Sequence, residues 1–584
     1  MTRRSSLAGL VLIAVAFAGG IATVAGPATA EIAPNPNVVV ITLDHAGFQD
    51  VLGDARAAAL ASFGGAALVS QRVPFESAIR SVFGLSSRPF GHRNAGSVAG
   101  VSGGTDRQKL DDIFARFGRS LRVMGSTPVV VIFVSTSPSD AEIRGGDELG
   151  AVVMGTGPAD EIARALGSPP SAPEARALTS DSTRRDGAVT SSDIAVTLAH
   201  LSGTTVSASV DGSEIRTTYA PAPFDLYQRY RDQRRLTVPI GVATAIYGAI
   251  AGLFGLAVAL LGTRVSERIR TAAAWGAISI IPLGLALLEV GRFPRLTYGV
   301  VAAFLVGVTV VGASASMAIA RRHGAVRAIV ALGSAVLVVL AVEAAQDWPG
   351  AITPLLGGSQ LDGGRFFGLP NAFIGLVLGA AVFAALGPRR IALGAALVFG
   401  AGLIVGSPWA GSDFGGAITL SAAAGLWWGL RARVSTIRAT LSTGAAAVAG
   451  AAIVLVMQRY LASTPTHITH LAEGTGHPGG ILGTIGERLR IGAKLVLTHP
   501  FAVIPVAGVP VALWIVLRPR GTLRSVLGSD PALTAALITV LVGSLVAYAV
   551  NDTGASALGL GFASAVSALL FVYLLRAGQT VVST

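Results

Sequence analysis

The chain contains no cysteine, which removes disulfides, thiolate metal sites and thiol nucleophiles and leaves the redox compartment unmarked. Lysine is nearly as scarce: Lys109 and Lys494 are the only two among 44 basic residues. Positive charge is therefore carried by arginine, in an Ala- and Gly-rich chain of the kind a GC-rich bacterial genome encodes. Charged residues of both signs make up only 13% and aromatics 6%. With 52% hydrophobic residues and a mean hydropathy of +0.65, this is too little charge to solvate a soluble protein of 584 residues. The chain reads as an integral membrane protein long enough for two domains. A net charge of +12 would suit a nucleic-acid binder. The arginines, however, lie in short loops between apolar segments, where they orient a membrane protein, so nucleic acid is excluded as a partner. There is no P-loop, Rossmann fingerprint, heptad pattern or repeat.

What is present falls into two parts. Arg3 and Arg4, an apolar run over 7–24 and Ala28-Thr29-Ala30 read as a signal peptide over 1–30, cleaved after Ala30. Residues 31–202 alternate β-like runs (38–43, 66–70, 129–134, 151–155) with helical stretches (54–63, 106–117, 160–166, 192–201). That alternation predicts an exported α/β domain with a mainly parallel sheet. Residues 203–238 form a linker, in which 224–235 has the pattern of an amphipathic, basic juxtamembrane helix.

The strand VVVITLDHAGFQDV ending in Asp44, then AALASFGGAALVSQRV, resembles the opening of the alkaline phosphatase/sulfatase superfamily. ALTSDSTRRDGAVTSSDIAVTLAHLSG followed by VDG is similar to its closing segment, a strand, a turn and a "D-x-x-x-T" helix before a small strand. With GRFFGLPN, GSDFGG and NDTG further on, the whole chain resembles a group of actinobacterial membrane proteins with such an ectodomain before a polytopic region. The resemblance implies one or two divalent metals and a Ser/Thr nucleophile, and Asp44 matches the first ligand. Ser135-Thr136-Ser137 stands where an Asp-His pair is usual, nothing selects among Ser81, Ser86, Ser87 and Thr105, and His45, His92 and His200 are the only histidines of the domain. The ectodomain thus reads as a degenerate relative that binds rather than cleaves.

From Pro239 to Arg576 apolar segments recur at membrane length, and about eleven spans are expected. They cover 239–262, 272–291, 298–320, 328–346, 372–387, 391–407, 414–430, 439–458, 500–517, 532–550 and 555–575. Every second loop from an outside start carries arginine (264–270, 321–327, 388–390, 431–438, 518–524), as does Arg576. This places 31–238 outside the plasma membrane and the tail 577–584 in the cytoplasm. The same topology gathers polar residues at the outer helix ends: Glu289, Arg292 and Arg295; Glu343 and Asp347; Asp362, Arg365 and Asn371; Asp413; Asn551 and Asp552. Charge so close to a bilayer marks a functional site, here expected to converge on one outward cavity. Its arginines suit a phosphate clamp, and Asp362, Asp413 or Asp552 a divalent cation or a base. Alternatively the carboxylates form a proton or sodium relay.

The outer loop 459–499 offers His467, His470 and Glu473 as metal ligands besides Asp44, with His477 already in a Pro-Gly-Gly turn. Gly375 and Gly379 form a small-xxx-small pair, and Trp348, Trp409, Trp427 and Trp428 suit an interfacial belt. The function expected is the handling of a lipid-linked or phosphorylated envelope precursor at the outer face. The ectodomain would bind or process the head group, or dock other envelope proteins. In architecture this resembles the phosphoethanolamine transferases of glycolipid anchors. A transporter or flippase with a regulatory ectodomain is the alternative.

Overall fold

The structure is a computed structural model describing residues 37–44, 55–62, 64–70, 99–101, 117–119, 121–136, 150–167, 176–201, 203, 206, 212–221, 224–357, 359–362, 367–462, 483, 486, 488–490, 492–494, 497, 500–551 and 554–576. His467, His470, Glu473, Arg365 and Asp552 lie outside the described residues.

A strand that is apolar at every interior position must bury both faces. β4 (Pro128–Thr136) is such a strand over Val129 to Val134. Val129 and Val131 enter one apolar cluster, while Val130, Ile132 and Val134 enter another. The remaining strands are β1 (Asn37–Asp44), β2 (Gly64–Ser70), β3 (Ala99–Val101), β5 (Gly150–Pro158), β6 (Arg176–Ser180), β7 (Ala188–Thr190) and β8 (Ile215–Pro221). The sheet runs β3-β1-β4-β5-β2-β6-β8, with β7 beside β2. On one face lie α1 (Ala55–Ala61) and α2 (Ala159–Gly167), and on the other α3 (Ser191–Leu201), giving a layered α/β domain.

The sheet is mixed rather than mainly parallel. β1 pairs parallel with β3 and β4, and β2 with β6 and β7, but β5 runs antiparallel to both β4 and β2, and β8 to β6.

α4 (Phe224–Leu261) is one helix of 38 residues. Its start belongs to the α/β domain, because Tyr227 and Tyr230 pack in the same cluster as α1 and α2. Beyond it every expected apolar stretch is helical: α5 (Glu267–Ile278) with α6 (Ile280–Glu289), α7 (Tyr298–His323), α8 (Ala325–Ala345), α9 (Ile374–Ala384), α10 (Ile391–Gly406), α11 (Phe414–Arg431), α12 (Thr436–Leu461), α13 (Pro500–Leu517), α14 (Gly521–Gly528), α15 (Pro531–Val550) and α16 (Gly554–Arg576). Seven helices are long and apolar enough to cross a membrane, or eight if the α13–α14 pair, bent by 75°, is one span. The chain is therefore a polytopic membrane protein. Ile250, Val311, Val448 and Val511 stand exposed on α4, α7, α12 and α13, as side chains facing hydrocarbon do.

At the centre is α9, all of whose 11 residues are buried. Gly375 lets it approach the α16 backbone, since a Cβ there would overlap the Ala557 carbonyl and the Gly561 amide. Gly379 meets Ser564 one turn further on. The pair packs helices as small-xxx-small pairs do.

Candidate functional site

The site is assembled where α8 stops. Helical hydrogen bonding ends at Gln346, and the chain reverses through two successive non-glycine residues in the left-handed region, Asp347 (φ 59°) and Trp348 (φ 57°). Such residues persist only where surrounding contacts hold them. Trp348 N–H donates to the Glu343 carbonyl at 2.7 Å, and its indole N–H donates to the Ala410 carbonyl. Trp348 is 2% exposed, so it anchors the segment internally instead of lying in an interfacial belt. Trp427 is buried likewise, while Trp409 and Trp428 are exposed. Downstream, Ser359 Oγ and Gln360 N–H donate to the Ile352 carbonyl, and Gln360 Nε2 donates to Gly368 O at 2.7 Å. Gly368 (φ 86°) lies against the Gly411 backbone, where any Cβ would clash. The described parts of the Gly/Pro-broken insert, 346–357, 359–362 and 367–371, thus form a cap on the helices.

Behind the reversal lies a charge cluster. Glu343 is fully buried and ion-paired with Arg292 NH2, and its Oε2 accepts the Gly350 N–H at 3.0 Å. Arg292 Nε donates to Glu289 Oε2 at 2.7 Å and NH1 to Gln346 Oε1 at 2.8 Å. Among the described residues, none donates a hydrogen bond to the buried Glu289 Oε1. Two carboxyls therefore flank one guanidinium at the ends of α6 and α8. With both ionised, one negative charge is left over, an arrangement suited to taking up a proton or a monovalent cation. Arg292 directs all its nitrogens at these partners; Arg295 is apart from them, 3.5 Å from Asp225 of α4.

A second polar group lies alongside. Asp413 is buried and caps α11, accepting Gly416 N–H at 2.8 Å, a common use of Asp at a helix start. Asn551, at the end of α15, donates to Ala547 O at 3.0 Å, and its buried Oδ1 lies over Gly415. Between them Gln458 donates to Gly406 O and Ser412 Oγ. Trp348 links the two groups through Ala410. Asn371 opens the 3-10 turn that leads into α9. For Asp362 the structure describes only the backbone, in the turn Gln360–Asp362.

The α/β domain reaches the same place. Between β6 and β7 the turn Asp181–Gly187 presents Arg184 and Arg185. Arg184 (φ 53°) donates to the Pro408 carbonyl at 2.6 Å and stacks 4.1 Å over the Phe367 ring. Arg185 donates to the Asp347 carbonyl and to Gln360 Oε1 at 2.9 Å, with the Asp347 carboxylate 3.5 Å away. Burial lowers the pKa of both guanidiniums, and Asp347 opposes the shift. Burial likewise raises the Asp347 carboxyl above the ordinary carboxylate range, against the pull of Arg185 and Arg184.

Asp193 holds the turn in place. Its buried carboxylate accepts Ser180 Oγ (2.8 Å), Ser182 Oγ (2.6 Å), Thr190 N–H (2.7 Å) and Ser213 N–H (2.8 Å). Four residues on, Thr197 Oγ1 accepts Ile215 N–H from β8 at 2.9 Å. The D-x-x-x-T helix thus ties together three strands and the arginine turn. Nothing in the sequence around Arg184 and Arg185 sets them apart from the other arginines of the α/β domain.

Asp44 ends β1, and the register sets Leu43 beside Ser135 and Asp44 beside Thr136. Neutral hydroxyl residues therefore occupy the neighbouring strand end where a metal centre needs carboxylates or imidazoles. The segments that follow both strand ends lie outside the described residues. Among the described residues no group of three His, Cys, Asp or Glu is placed to hold one. Comparison with protein-family models, curated proteins and solved structures gives no match.

Proposed function

We propose that this protein works at the outer face of the plasma membrane on a lipid-linked or phosphorylated envelope substrate. The membrane domain would hold the lipid, and the α/β domain would bind the head group or dock a further envelope protein. The observation that carries this reading is the junction itself: Arg184 and Arg185 seat the α/β domain on the insert 346–371, which caps the outer helix ends. A head group leaving the bilayer there meets both domains. Arg295, Arg365, Asn371 and Asp552 are its proposed contacts, with Asp362 beside them.

The kinship with the alkaline phosphatase superfamily belongs to the same proposal, as a module that binds or processes the head group. So does the topology: a signal peptide over 1–30, residues 31–238 outside, and eleven spans, counting α9, α10 and α11 with the eight longer units. A chain without cysteine suits single-cysteine labelling. Trp409→Cys in intact cells is expected to react with an impermeant maleimide and Arg322→Cys only after lysis; the reverse pattern would invert the topology.

The functional test is native mass spectrometry of the detergent-purified protein, alongside hydrolysis of a chromogenic phosphodiester with added Mg²⁺, Mn²⁺ or Zn²⁺. A retained phosphate-bearing lipid and no turnover are expected. Absence of any such lipid would defeat the substrate reading. Turnover abolished by Asp44→Ala would make the domain an enzyme.

A second reading, a transporter or flippase of envelope precursors, is favoured by one observation: the buried Glu289–Arg292–Glu343 cluster at the ends of two helices, with its spare carboxyl. Glu343→Gln would abolish such transport, and Asp44→Ala would leave it intact.

A further inference from the structure

The Asp181–Gly187 turn and the buried Glu343 belong to different domains, yet only a short path separates them. Asp193 fixes the turn from within the α/β domain by accepting from Ser180, Ser182, Thr190 and Ser213. The turn's Arg185 holds the Asp347 carbonyl, while its charge faces the Asp347 carboxylate. Asp347 and Trp348 form the left-handed reversal. That reversal returns the chain so that Gly350 N–H reaches Glu343 Oε2 at 3.0 Å. Gly350 packs against both Glu343 oxygens so closely that a Cβ would sit 3.2 Å from each. Two successive non-glycine left-handed residues are not self-sustaining, and among their described contacts two come from outside the segment: Arg185 on Asp347 and the Ala410 carbonyl on Trp348.

We propose that Arg185 is a positioning residue for the outer site: by holding the Asp347–Trp348 reversal it keeps the Gly350 amide on Glu343, so that seating of the α/β domain sets whether Glu343 is capped and closed off. This rests on the reading of the outer junction as the working site. The groups facing Glu343 are Glu289 and Arg292 from the end of α6, the Gly350 amide from the insert, and Arg185, whose field reaches it from the α/β domain. When the turn withdraws, the reversal relaxes to ordinary backbone, and Glu343 keeps Arg292 but loses its amide donor. Head-group binding that lifts or seats the α/β domain is thereby transmitted to an acid buried in the helical bundle, without any helix having to move. Lysine at 185 supplies the charge toward Asp347 but not the fork that reaches Asp347 O and Gln360 Oε1 together.

The test is carbodiimide labelling of the full-length protein in nanodiscs. Dicyclohexylcarbodiimide modifies carboxyls in apolar surroundings, and the modified peptides are quantified by mass spectrometry. Loss of a hydrogen bond to a charged group corresponds to roughly a tenfold change or more. Arg185→Gln is therefore expected to raise the Glu343 labelling rate by about tenfold. Asp347→Asn, which tolerates the left-handed backbone, should raise it less, and Arg185→Lys should restore part of the protection. Asp530, paired with Arg576 at 3.2 Å at the far end of α15, is the internal reference and should not change. An unchanged Glu343 rate in Arg185→Gln, or an equal rise at Asp530, overturns the inference. Lipid retained by the same samples separates the two readings. A responsive Glu343 without any lipid defeats the substrate reading and keeps Arg185's role; lipid with an unresponsive Glu343 does the opposite.

Discussion

Each half of the molecule buries a carboxylate completely, Asp193 in the α/β domain and Glu343 in the helical domain. Burial raises the Asp193 carboxyl above the ordinary Asp range, against the pull of four donors from its own domain that surround it. Glu343 has one amide and one guanidinium, and it shares the guanidinium with a second carboxyl. A buried charge that is fully hydrogen-bonded organises structure. One that shares its guanidinium with a second carboxylate depends more on each donor it keeps. The α/β domain thus carries a structural acid, and the helical domain one held by donors from two separate segments.

Removing the structural acid is expected to have the largest effect. Asp193→Ala leaves four donors without an acceptor, and breaking a buried charged network costs about 3–5 kcal/mol. The α/β domain should then be digested by protease under conditions where the wild-type domain resists, while the helical domain stays folded. If the domain survives intact, Asp193 is not the hub described here.

The helical domain depends on close backbone approach instead. Gly375→Ala forces a methyl group into the Ala557 carbonyl, and overpacking of this kind costs about 1–3 kcal/mol. Thermal unfolding in detergent should shift downward with the α/β domain unaffected, and an unshifted transition would show that α9 and α16 separate without penalty.

The smallest effect concerns the junction between the two. Asp347 is raised above the ordinary Asp range by burial, so it holds a proton more tightly docked than undocked. Its contribution to docking is therefore full below the ordinary Asp range and lost as pH climbs through the raised value. Acid should tighten the junction modestly, because the Arg185 contacts to the Asp347 carbonyl and Gln360 need no carboxylate charge. Spin labels at Val123→Cys and Tyr298→Cys, both exposed positions, should report a narrower distance distribution toward lower pH, and Asp347→Asn should abolish that dependence. Release of the junction in acid would reverse the sign argued here.

Much of the architecture was legible because it rests on periodicity. Val129 to Val134 could only be a strand buried on both faces, and Leu-, Val- and Ala-rich runs bounded by arginine loops could only be helices of membrane length. The charged residues at helix ends, Glu289, Arg292, Glu343 and Asp347, were legible too, since charge near a bilayer is rare enough to stand out. Arg184, Arg185, Gln360 and Phe367 were not, because each is unremarkable in its own segment and acquires meaning only from a contact with another domain. Asp413 reads in sequence as a candidate base, yet in the structure it caps α11, a use that depends on where that helix starts.

The sequence by itself determined that this is a polytopic membrane protein carrying an α/β domain at its N-terminal side, because hydropathy, arginine placement and apolar periodicity are local properties. Only the tertiary structure decided that β5 runs against its neighbours, that Trp348 is a buried anchor, and that Arg185 of one domain holds the turn that caps Glu343 of the other. Those are matters of register, burial and long-range contact, and the free energies that set them arise between segments far apart in the chain.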